Sequence, residues 1–415
     1  MTEGVRRTEF DSGLRVVTES LPELRSATLG AWVGSGARDE SPTEWGASHF
    51  LEHLLFKGTE TRSAREIAET IESVGGEMNA FTTHEQTVFY VRVPDAQLET
   101  AFDVLSDVLW APAFRPTDVE SERQVILEEI GMRDDTPDDV VHELFASALF
   151  PEHPLGREVL GSTESITGMA REEIVAYHAG HYRPSNVVFA AAGNLTHDTV
   201  RTLVASRFPD DAGPRPPRPR PSPPEPRPVA VMTRDTEQAH VVVGARALSA
   251  LDPDRYALTI LNQVLGGGMS SRLFQEIRES RGLAYSVYSY QSSFDDTGYL
   301  AIYAGTAPER LRETLGVIDE EVERLCAHGL SDDELTAAKG HLTGSLAMSL
   351  ETSASRMRRL GRAETVEHEV PSLDDLVARI ERVTAGDVDR VVDRVFGSSP
   401  RSLAVVGPHE AGEFS

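Results

Sequence analysis

The sequence of 415 residues contains a single cysteine, Cys326, which excludes an internal disulfide and fits a reducing compartment. No apolar run approaches the roughly 18 residues that a membrane-spanning helix requires. Residues 1–7 are not followed by a hydrophobic segment, so no secretory signal is predicted and we expect a cytoplasmic location. Lysine occurs only as Lys57 and Lys339, and we attribute this scarcity to composition rather than to mechanism.

An excess of positive charge is missing as well. The net charge of -27 argues against nucleic acid as a partner and favours solubility. The apolar content of 40% supports a globular fold. A chain of this length exceeds what one hydrophobic core usually holds, and it suits two domains of about 200 residues.

A segment rich in proline and arginine, 209–228, divides the chain. Such a segment can form neither a helix nor a strand ladder, so we predict an extended, polyproline-type linker. A proline-rich ligand for an adaptor domain is the alternative interpretation. The predicted organisation is therefore a domain over 1–208, the linker 209–228 and a second domain over 229–415.

The spacing His-x-x-Glu-His occurs once, at His49, Glu52 and His53, in a stretch that is predicted to be helical. Four residues make slightly more than one helical turn, so both imidazoles lie on one face with room for an ion between them. Glu52 borders that face and is free to act as a base. The alternative is an ordinary surface or core histidine pair, and a third ligand would decide between the two, because catalytic zinc takes three protein ligands.

A candidate for the third ligand lies in a second predicted helix, 118–131. Glu122 and Glu129 are seven residues apart and share a face with part of its apolar stripe. A carboxylate on the buried side of a helix is costly unless it is paired or binds a metal. The spacing alone does not favour Glu129 over Glu128, and both carboxylates could belong to a solvated flank.

The chain resembles the inverzincin peptidases, the pitrilysin family that includes insulysin and the mitochondrial processing peptidase. It most resembles the short bacterial members related to the catalytic subunit of the processing peptidase. The resemblance extends over nearly the whole chain, and its motifs are GASHFLEHLLFKG at 46–58, GEMNAFTT at 76–83, EQT at 85–87 and ERQVILEE at 122–129.

The resemblance implies a zinc ion, one per chain, held by His49, His53 and Glu129, with Glu52 as the catalytic base. It also implies that Glu122 steadies a ligating histidine through its other ring nitrogen. Asn79, Ala80 and Phe81 match the family segment that binds a substrate by strand addition.

The two halves of the chain repeat the same predicted order of strands and helices, with helices over one face of each sheet. The fold class is therefore α+β, with two homologous domains of processing-peptidase type, each an antiparallel or mixed sheet covered by helices. By resemblance, the two domains form half of a clam-shell chamber. The second-half helix predicted over Tyr256–Leu265 contains no histidine, so only the first domain is expected to hold the metal.

The second, inactive domain is expected to contribute substrate-binding residues. Arg281 and Tyr288 match an Arg and a Tyr with which relatives bind substrate backbone and stabilise the oxyanion. An arginine paired to a surface carboxylate and a tyrosine packed on a helix are the alternative interpretation. Because larger relatives build their chamber from four such domains, we expect a homodimer in which these residues complete the site of the other subunit.

The predicted function is a zinc-dependent endopeptidase or oligopeptidase that hydrolyses short or unfolded peptides inside a dimeric chamber. The alternative is a non-catalytic or weakly active peptide-binding or scaffold subunit, in a heterodimeric complex of processing-peptidase type with an inactive paralogue. The intact His49, Glu52 and His53 argue against a purely structural subunit.

Overall fold

The computed structural model describes residues 4–208, 213–218, 220–367 and 369–414. The chain forms two compact units. The first unit is made of Met1–Gly131, Glu158–Pro219 and Met348–Ser372, and the second is made of Met132–Arg157, Arg220–Ala347 and Leu373–Ser415. Each unit is discontinuous, because it contains one segment from the opposite half of the chain.

The described residues form eleven strands and fourteen α-helices. The strands are β1 Val5–Glu9, β2 Arg15–Ser20, β3 Ser26–Val33, β4 Glu77–Thr82, β5 Thr87–Pro94, β6 Val187–Gly193, β7 Val229–Thr233, β8 Ala239–Ala247, β9 Ala284–Ser293, β10 Gly298–Thr306 and β11 Arg401–Gly407. The helices are α1 Ala47–Leu55, α2 Ala64–Glu72, α3 Leu98–Trp110, α4 Pro116–Asp134, α5 Pro137–Leu149, α6 Thr163–Gly168, α7 Arg171–His181, α8 His197–Arg207, α9 Arg255–Gly266, α10 Leu311–His328, α11 Asp332–Ser349, α12 Ser353–Arg362, α13 Leu373–Glu381 and α14 Ala385–Val392. Short 3-10 turns lie at Ala37–Asp39, Asp95–Gln97, Pro154–Gly156, Pro184–Asn186, Pro308–Arg310 and Ala411–Glu413, and π-helical turns at Phe274–Ser280, Ala363–Glu367 and Asp393–Gly397.

The predicted repeat is confirmed in the topology of the two sheets. The first has the strand order β1-β2-β6-β3-β5-β4, and the second has the order β7-β11-β8-β10-β9. Among the described strands, each sheet contains one parallel pair, β2 with β6 in the first sheet and β7 with β11 in the second, and the other pairs are antiparallel. The second sheet therefore reproduces the first without β1. Its outer strand β9 corresponds to β4, which is the edge strand of the first sheet.

Helices cover both faces of the first sheet, whereas the sequence analysis expected one face. α1, α2 and α3 pack on one face through a core that includes Leu29, Phe50 and Phe102. On the other face, α12 contacts β2, β3 and β6 through Met357 and Leu360. The physical reason lies in β6, which is apolar from Val187 to Ala192, because such a strand must be buried on both sides. β3 beside it is likewise buried from Ala27 to Val33.

The second sheet is also covered on both faces. α9, α10 and α14 share one core with β8, β9 and β10. α5 lies on the other face, where Val141, Phe145 and Leu149 pack against Val242 and Val406. The helix that covers this second face comes from the first half of the chain, just as α12 comes from the second half. This exchange explains why both compact units are discontinuous.

The described part of the predicted linker, 213–218 and 220–228, contains neither helix nor strand, and residues 209–212 and 219 lie outside the described residues. The first part of the linker is nevertheless attached to the first unit, and its residues from Arg220 onwards belong to the second. Arg218 donates hydrogen bonds to Asp39 and to the carbonyl oxygens of Gly34 and Glu85, at 2.7–3.0 Å.

One predicted helix end and one predicted helix type can be compared directly with the structure. The sequence predicts a helix over Ala64–Val74 with Gly75 and Gly76 as its stop signal, and this end is confirmed, because α2 ends at Glu72, Gly75 has a φ of 76° and the Gly76 amide donates to the Ile71 carbonyl oxygen. The sequence also predicts a helix over Arg272–Arg278, where the structure instead forms a π-helical turn at Phe274–Ser280. In the described part of the chain, no helix combines the length and the apolar character that crossing a bilayer would need.

Candidate metal centre

The two histidines of α1 lie on its polar face, because its apolar face packs in the hydrophobic core. Phe50, Leu51, Leu54 and Leu55 are buried against the first sheet. His49, Glu52 and His53 occupy the remaining face and are only partly buried. The sequence pattern therefore fixes the direction in which the metal-binding motif points.

A buried carboxylate holds the start of α1. Glu40 accepts hydrogen bonds from the backbone amides of Gly46 and Ser48, both at 2.7 Å, and thereby satisfies donors that a helix start leaves unpaired. Burial raises the pKa of Glu40 to about 7. Gly46 has a φ of 96°, and a Cβ there would come within 2.9 Å of the Leu160 carbonyl oxygen. The sequence analysis did not identify Glu40, since nothing in the spacing marks it.

The three predicted ligands come together. Ligand atoms of His49, His53 and Glu129 all lie within 4.8 Å of one another, in the only such group found among the described residues. Both Nε2 atoms face the same oxygen of Glu129, at 3.7 Å for His49 and 3.5 Å for His53. Two imidazole nitrogens and one carboxylate oxygen are the ligand set of many catalytic zinc sites.

His53 is oriented by a pair of charged residues. Its Nδ1 lies 3.2 Å from Glu122, and the other oxygen of Glu122 lies 2.6 Å from the ammonium group of Lys57. An N–H at Nδ1 that donates to Glu122 leaves the Nε2 lone pair free for a metal. Lys57 has no role that its sequence context predicts, but in the structure its ammonium group contacts the carboxylate that orients a predicted ligand.

His49 is held in the form that binds metal. Burial and, to a smaller extent, the neighbouring His53 lower the pKa of His49 to about 4, so the imidazole is neutral at pH 7. Its Nδ1 is buried and has no hydrogen-bond partner among the described residues. The residues present therefore fit a divalent cation that prefers nitrogen and oxygen ligands.

Glu52 lies beside this group and next to the edge of the sheet. Burial raises the pKa of Glu52, while the side chain and backbone of Thr82 act in the opposite direction. Thr82 is the last residue of β4, the edge strand that also carries Asn79, Ala80 and Phe81. The Ala80 amide donates to the Asn79 side chain at 2.8 Å, so this outward-facing donor is capped locally.

Arg281 and Tyr288 lie in the second unit. The guanidinium group of Arg281 lies 3.2 Å from the carboxylate of Glu320 and 3.8 Å from that of Glu276. This is the pairing with surface carboxylates that the alternative interpretation of the sequence predicts. Tyr288, on β9, is 37% exposed and lies 3.2 Å from Nε2 of His142. The catalytic role of both residues stays a prediction.

Two family models match the chain over most of its length. The one described as Insulinase (Peptidase family M16) matches residues 15–163, and the one described as Peptidase M16 inactive domain matches residues 168–342. A protein of Streptomyces coelicolor named an uncharacterized zinc protease is 46% identical, over 97% of this chain and 90% of that protein. A protein of Bacillus subtilis with the same description is 37% identical, over 97% of this chain and 98% of that protein.

Solved structures show the same fold. The crystal structure of a peptidase M16 inactive domain from Pseudomonas fluorescens has a TM-score of 0.92 at 22% identity and covers 99% of both chains. A protease from Helicobacter pylori has a TM-score of 0.90 at 23% identity, over 97% of this chain and 99% of that one. With relatives that match almost end to end and family models that match both halves, this chain belongs to peptidase family M16.

Proposed function

We propose that this protein is a zinc-dependent endopeptidase that hydrolyses short or unfolded peptides. The observation that carries the proposal is the convergence of His49, His53 and Glu129 beside Glu52, to which we assign the role of a base that is not a ligand. The names of the relatives, uncharacterized zinc proteases, support the same activity.

The proposed chemistry assigns one role to each group. Zinc, one ion per chain, would be held by His49, His53 and Glu129 and would supply Lewis acidity to water and to the scissile carbonyl. Glu52 takes a proton from the attacking water and passes it to the leaving amine as the peptide C–N bond breaks. Burial raises the pKa of Glu52, which favours its action as a group that accepts a proton and later releases it.

We propose that substrate binds as an added strand along β4. This strand forms one edge of the first sheet, and its far end, Thr82, lies beside Glu52. A peptide that pairs with Asn79, Ala80 and Phe81 would therefore be led towards the base. Backbone pairing of this kind gives affinity with little side-chain preference, which suits an oligopeptidase.

The test of the proposed function uses three variants, in each of which a carboxylate is replaced by an amide, and a quenched fluorescent peptide. Glu52→Gln should keep its zinc and lose cleavage, whereas Glu129→Gln should lose both, because only Glu129 is a ligand. Glu128→Gln is the matched control, since Glu128 is the exposed neighbour on α4 and should keep zinc and activity. Full activity in Glu52→Gln, or activity in the wild type that survives complete removal of zinc by a chelator, would contradict the proposal.

We further propose a homodimer in which Arg281 and Tyr288 of one subunit act at the metal centre of the other. Mixing Glu52→Gln chains with Arg281→Ala chains should restore part of the activity, because one of the two sites in a mixed dimer then has both residues intact. No recovery in verified mixed dimers would contradict action between subunits, and a monomer in solution would contradict the dimer itself.

A further inference from the structure

Tyrosine and histidine side chains cluster on the face of the second sheet that α5 covers. Tyr288 on β9 is the register partner of Tyr303 on β10, and their rings lie 4.9 Å apart. His142, on α5, stacks on Tyr303 with a ring separation of 5.2 Å. The cluster therefore connects a tyrosine of the edge strand to a histidine of the covering helix, within one compact unit.

His142 bridges two phenols through its two ring nitrogens. Its Nδ1 lies 2.6 Å from the hydroxyl of Tyr290, and its Nε2 lies 3.2 Å from the hydroxyl of Tyr288. Tyr288 and Tyr290 are two residues apart on β9 and so share a face of the sheet. Tyr288 is 37% exposed, whereas Tyr290 is more deeply buried.

The direction of these two hydrogen bonds follows from the protonation of the three groups. Burial raises the pKa of Tyr290, so this phenol keeps its proton, and within the described residues its hydroxyl has His142 as its one hydrogen-bond partner. Burial also lowers the pKa of His142, although Asp139 and Asp138 act in the opposite direction, so the ring is neutral at pH 7. A neutral imidazole has one donor nitrogen and one acceptor nitrogen.

If Tyr290 donates to Nδ1, the single ring proton must sit on Nε2. Nε2 then donates to the oxygen of Tyr288, and the proton of Tyr288 is free to point at another acceptor. A hydroxyl that accepts one hydrogen bond is polarised and becomes a better donor in the next one. The two hydrogen bonds that connect Tyr290, His142 and Tyr288 thus leave the Tyr288 hydroxyl proton available to donate to a further acceptor.

We propose that His142 is a positioning residue for Tyr288, which it orients so that the phenol hydroxyl donates a hydrogen bond to the scissile carbonyl oxygen of the bound peptide and to the oxyanion that forms from it. This inference rests on the substrate-binding role that the proposed function gives to Tyr288. His142 does not touch the substrate in this scheme. Its effect on the reaction passes entirely through the tyrosine.

The same cluster contains a second pair of a histidine and a tyrosine, His240 and Tyr303, which serves as a control because it does not orient Tyr288. His240 is 9% exposed, and its Nδ1 lies 2.9 Å from the hydroxyl of Tyr303. It resembles His142 in having a tyrosine hydroxyl as its partner, but in the described part of the chain it makes no hydrogen bond to Tyr288. A purely structural histidine in this cluster should therefore behave like His240.

The experiment is a double-mutant cycle between His142→Phe and Tyr288→Phe, with kcat and KM measured on a quenched peptide. His142→Phe should lower kcat by about 10-fold or more while KM changes little, because Tyr288 is then no longer oriented as a donor to the oxyanion that develops in the transition state. In the Tyr288→Phe background the same substitution should cost less than about twofold. His142→Gln, whose amide can donate from a similar position, should recover part of the loss, and His240→Phe should stay within about twofold of wild type.

Equal losses from His142→Phe in both backgrounds would overturn the inference, because the histidine would then act independently of Tyr288. Nitrogen NMR of histidine-labelled protein gives a second readout that needs no catalysis, and it should show His142 protonated at Nε2. Protonation at Nδ1 would also overturn the inference. A wild-type protein that binds zinc but cleaves no peptide would instead overturn the proposed function, and the two failures are thereby distinguishable.

Discussion

Substitution of Lys57 tests how the buried carboxylate beside the metal centre is stabilised. The Glu122 side chain is 3% exposed, and the Lys57 ammonium, at 2.6 Å, is the nearest positive charge that neutralises it. Breaking a fully buried ion pair costs about 3–5 kcal/mol because one charge is left uncompensated. The Lys57 side chain is 40% exposed, so water already screens part of the pair. For Lys57→Met we therefore expect the free energy of unfolding of the first unit to fall by about 1–3 kcal/mol.

Tryptophan fluorescence during urea unfolding of the metal-free protein measures this change selectively. All three tryptophans, Trp32, Trp45 and Trp110, lie in the first unit, so their signal follows that unit. Lys339→Met is the matched control, because Lys339 lies in the second unit and donates to an exposed carbonyl. The control should leave the fluorescence transition unchanged.

The destabilisation caused by Lys57→Met should depend on the charge of Glu122. In a Glu122→Gln background there is no buried charge to neutralise, so Lys57→Met should then cost less than about 0.5 kcal/mol. The same loss in both backgrounds would show that Lys57 stabilises the protein by packing alone. A loss below about 0.5 kcal/mol in the wild-type background would show that water already neutralises Glu122.

Two further predictions concern the start of α1 and the second unit. Gly46→Ala should destabilise the first unit by about 1–3 kcal/mol in the fluorescence assay, because φ is 96° and a backbone oxygen lies at 2.9 Å from the added Cβ. Gly131→Ala, in open space on α4, should be neutral or stabilising, and equal effects of the two would contradict the strain argument. Hydrogen bonds from Arg272 lower the pKa of Glu334 from 4.5 to about 2, so its stabilisation is present above pH 4.5 and is lost as the pH falls through 2. Glu334→Gln should therefore lower stability by about 1–2 kcal/mol at pH 7 and have little effect near pH 2 in denaturation followed by circular dichroism, and a pH-independent effect would refute the assignment.

Features that depend on neighbours along the chain could be predicted. The His49, Glu52 and His53 spacing indicated one helical face, and the apolar residues of α1 determine which face is buried. The paired glycines at Gly75 and Gly76 marked a helix end because a left-handed residue closes it. The choice of Glu129 over Glu128 needed the family resemblance, because both lie on the same turn of α4.

One missed feature had a signal in the sequence. β6 is a continuous apolar run from Val187 to Ala192 rather than an alternating one, a pattern that is typical of strands buried on both faces. The expectation of helices on one face overlooked it. The sequence did not predict that α12 covers the second face. This helix carries several arginines, and its contact partner Trp32 is more than 300 residues away in the chain.

By itself, the sequence determined the two-part repeat, the end of α2 and the polar face of α1, because each depends on a local period or a local backbone preference. Only the tertiary structure decided that α5 and α12 cover the second faces of the sheets, that Lys57 neutralises Glu122 and that His142 bridges Tyr288 and Tyr290. These contacts join residues that are far apart in the chain. Their partners are selected by packing and by the need to pair buried charges and donors, and no spacing in the sequence records that selection.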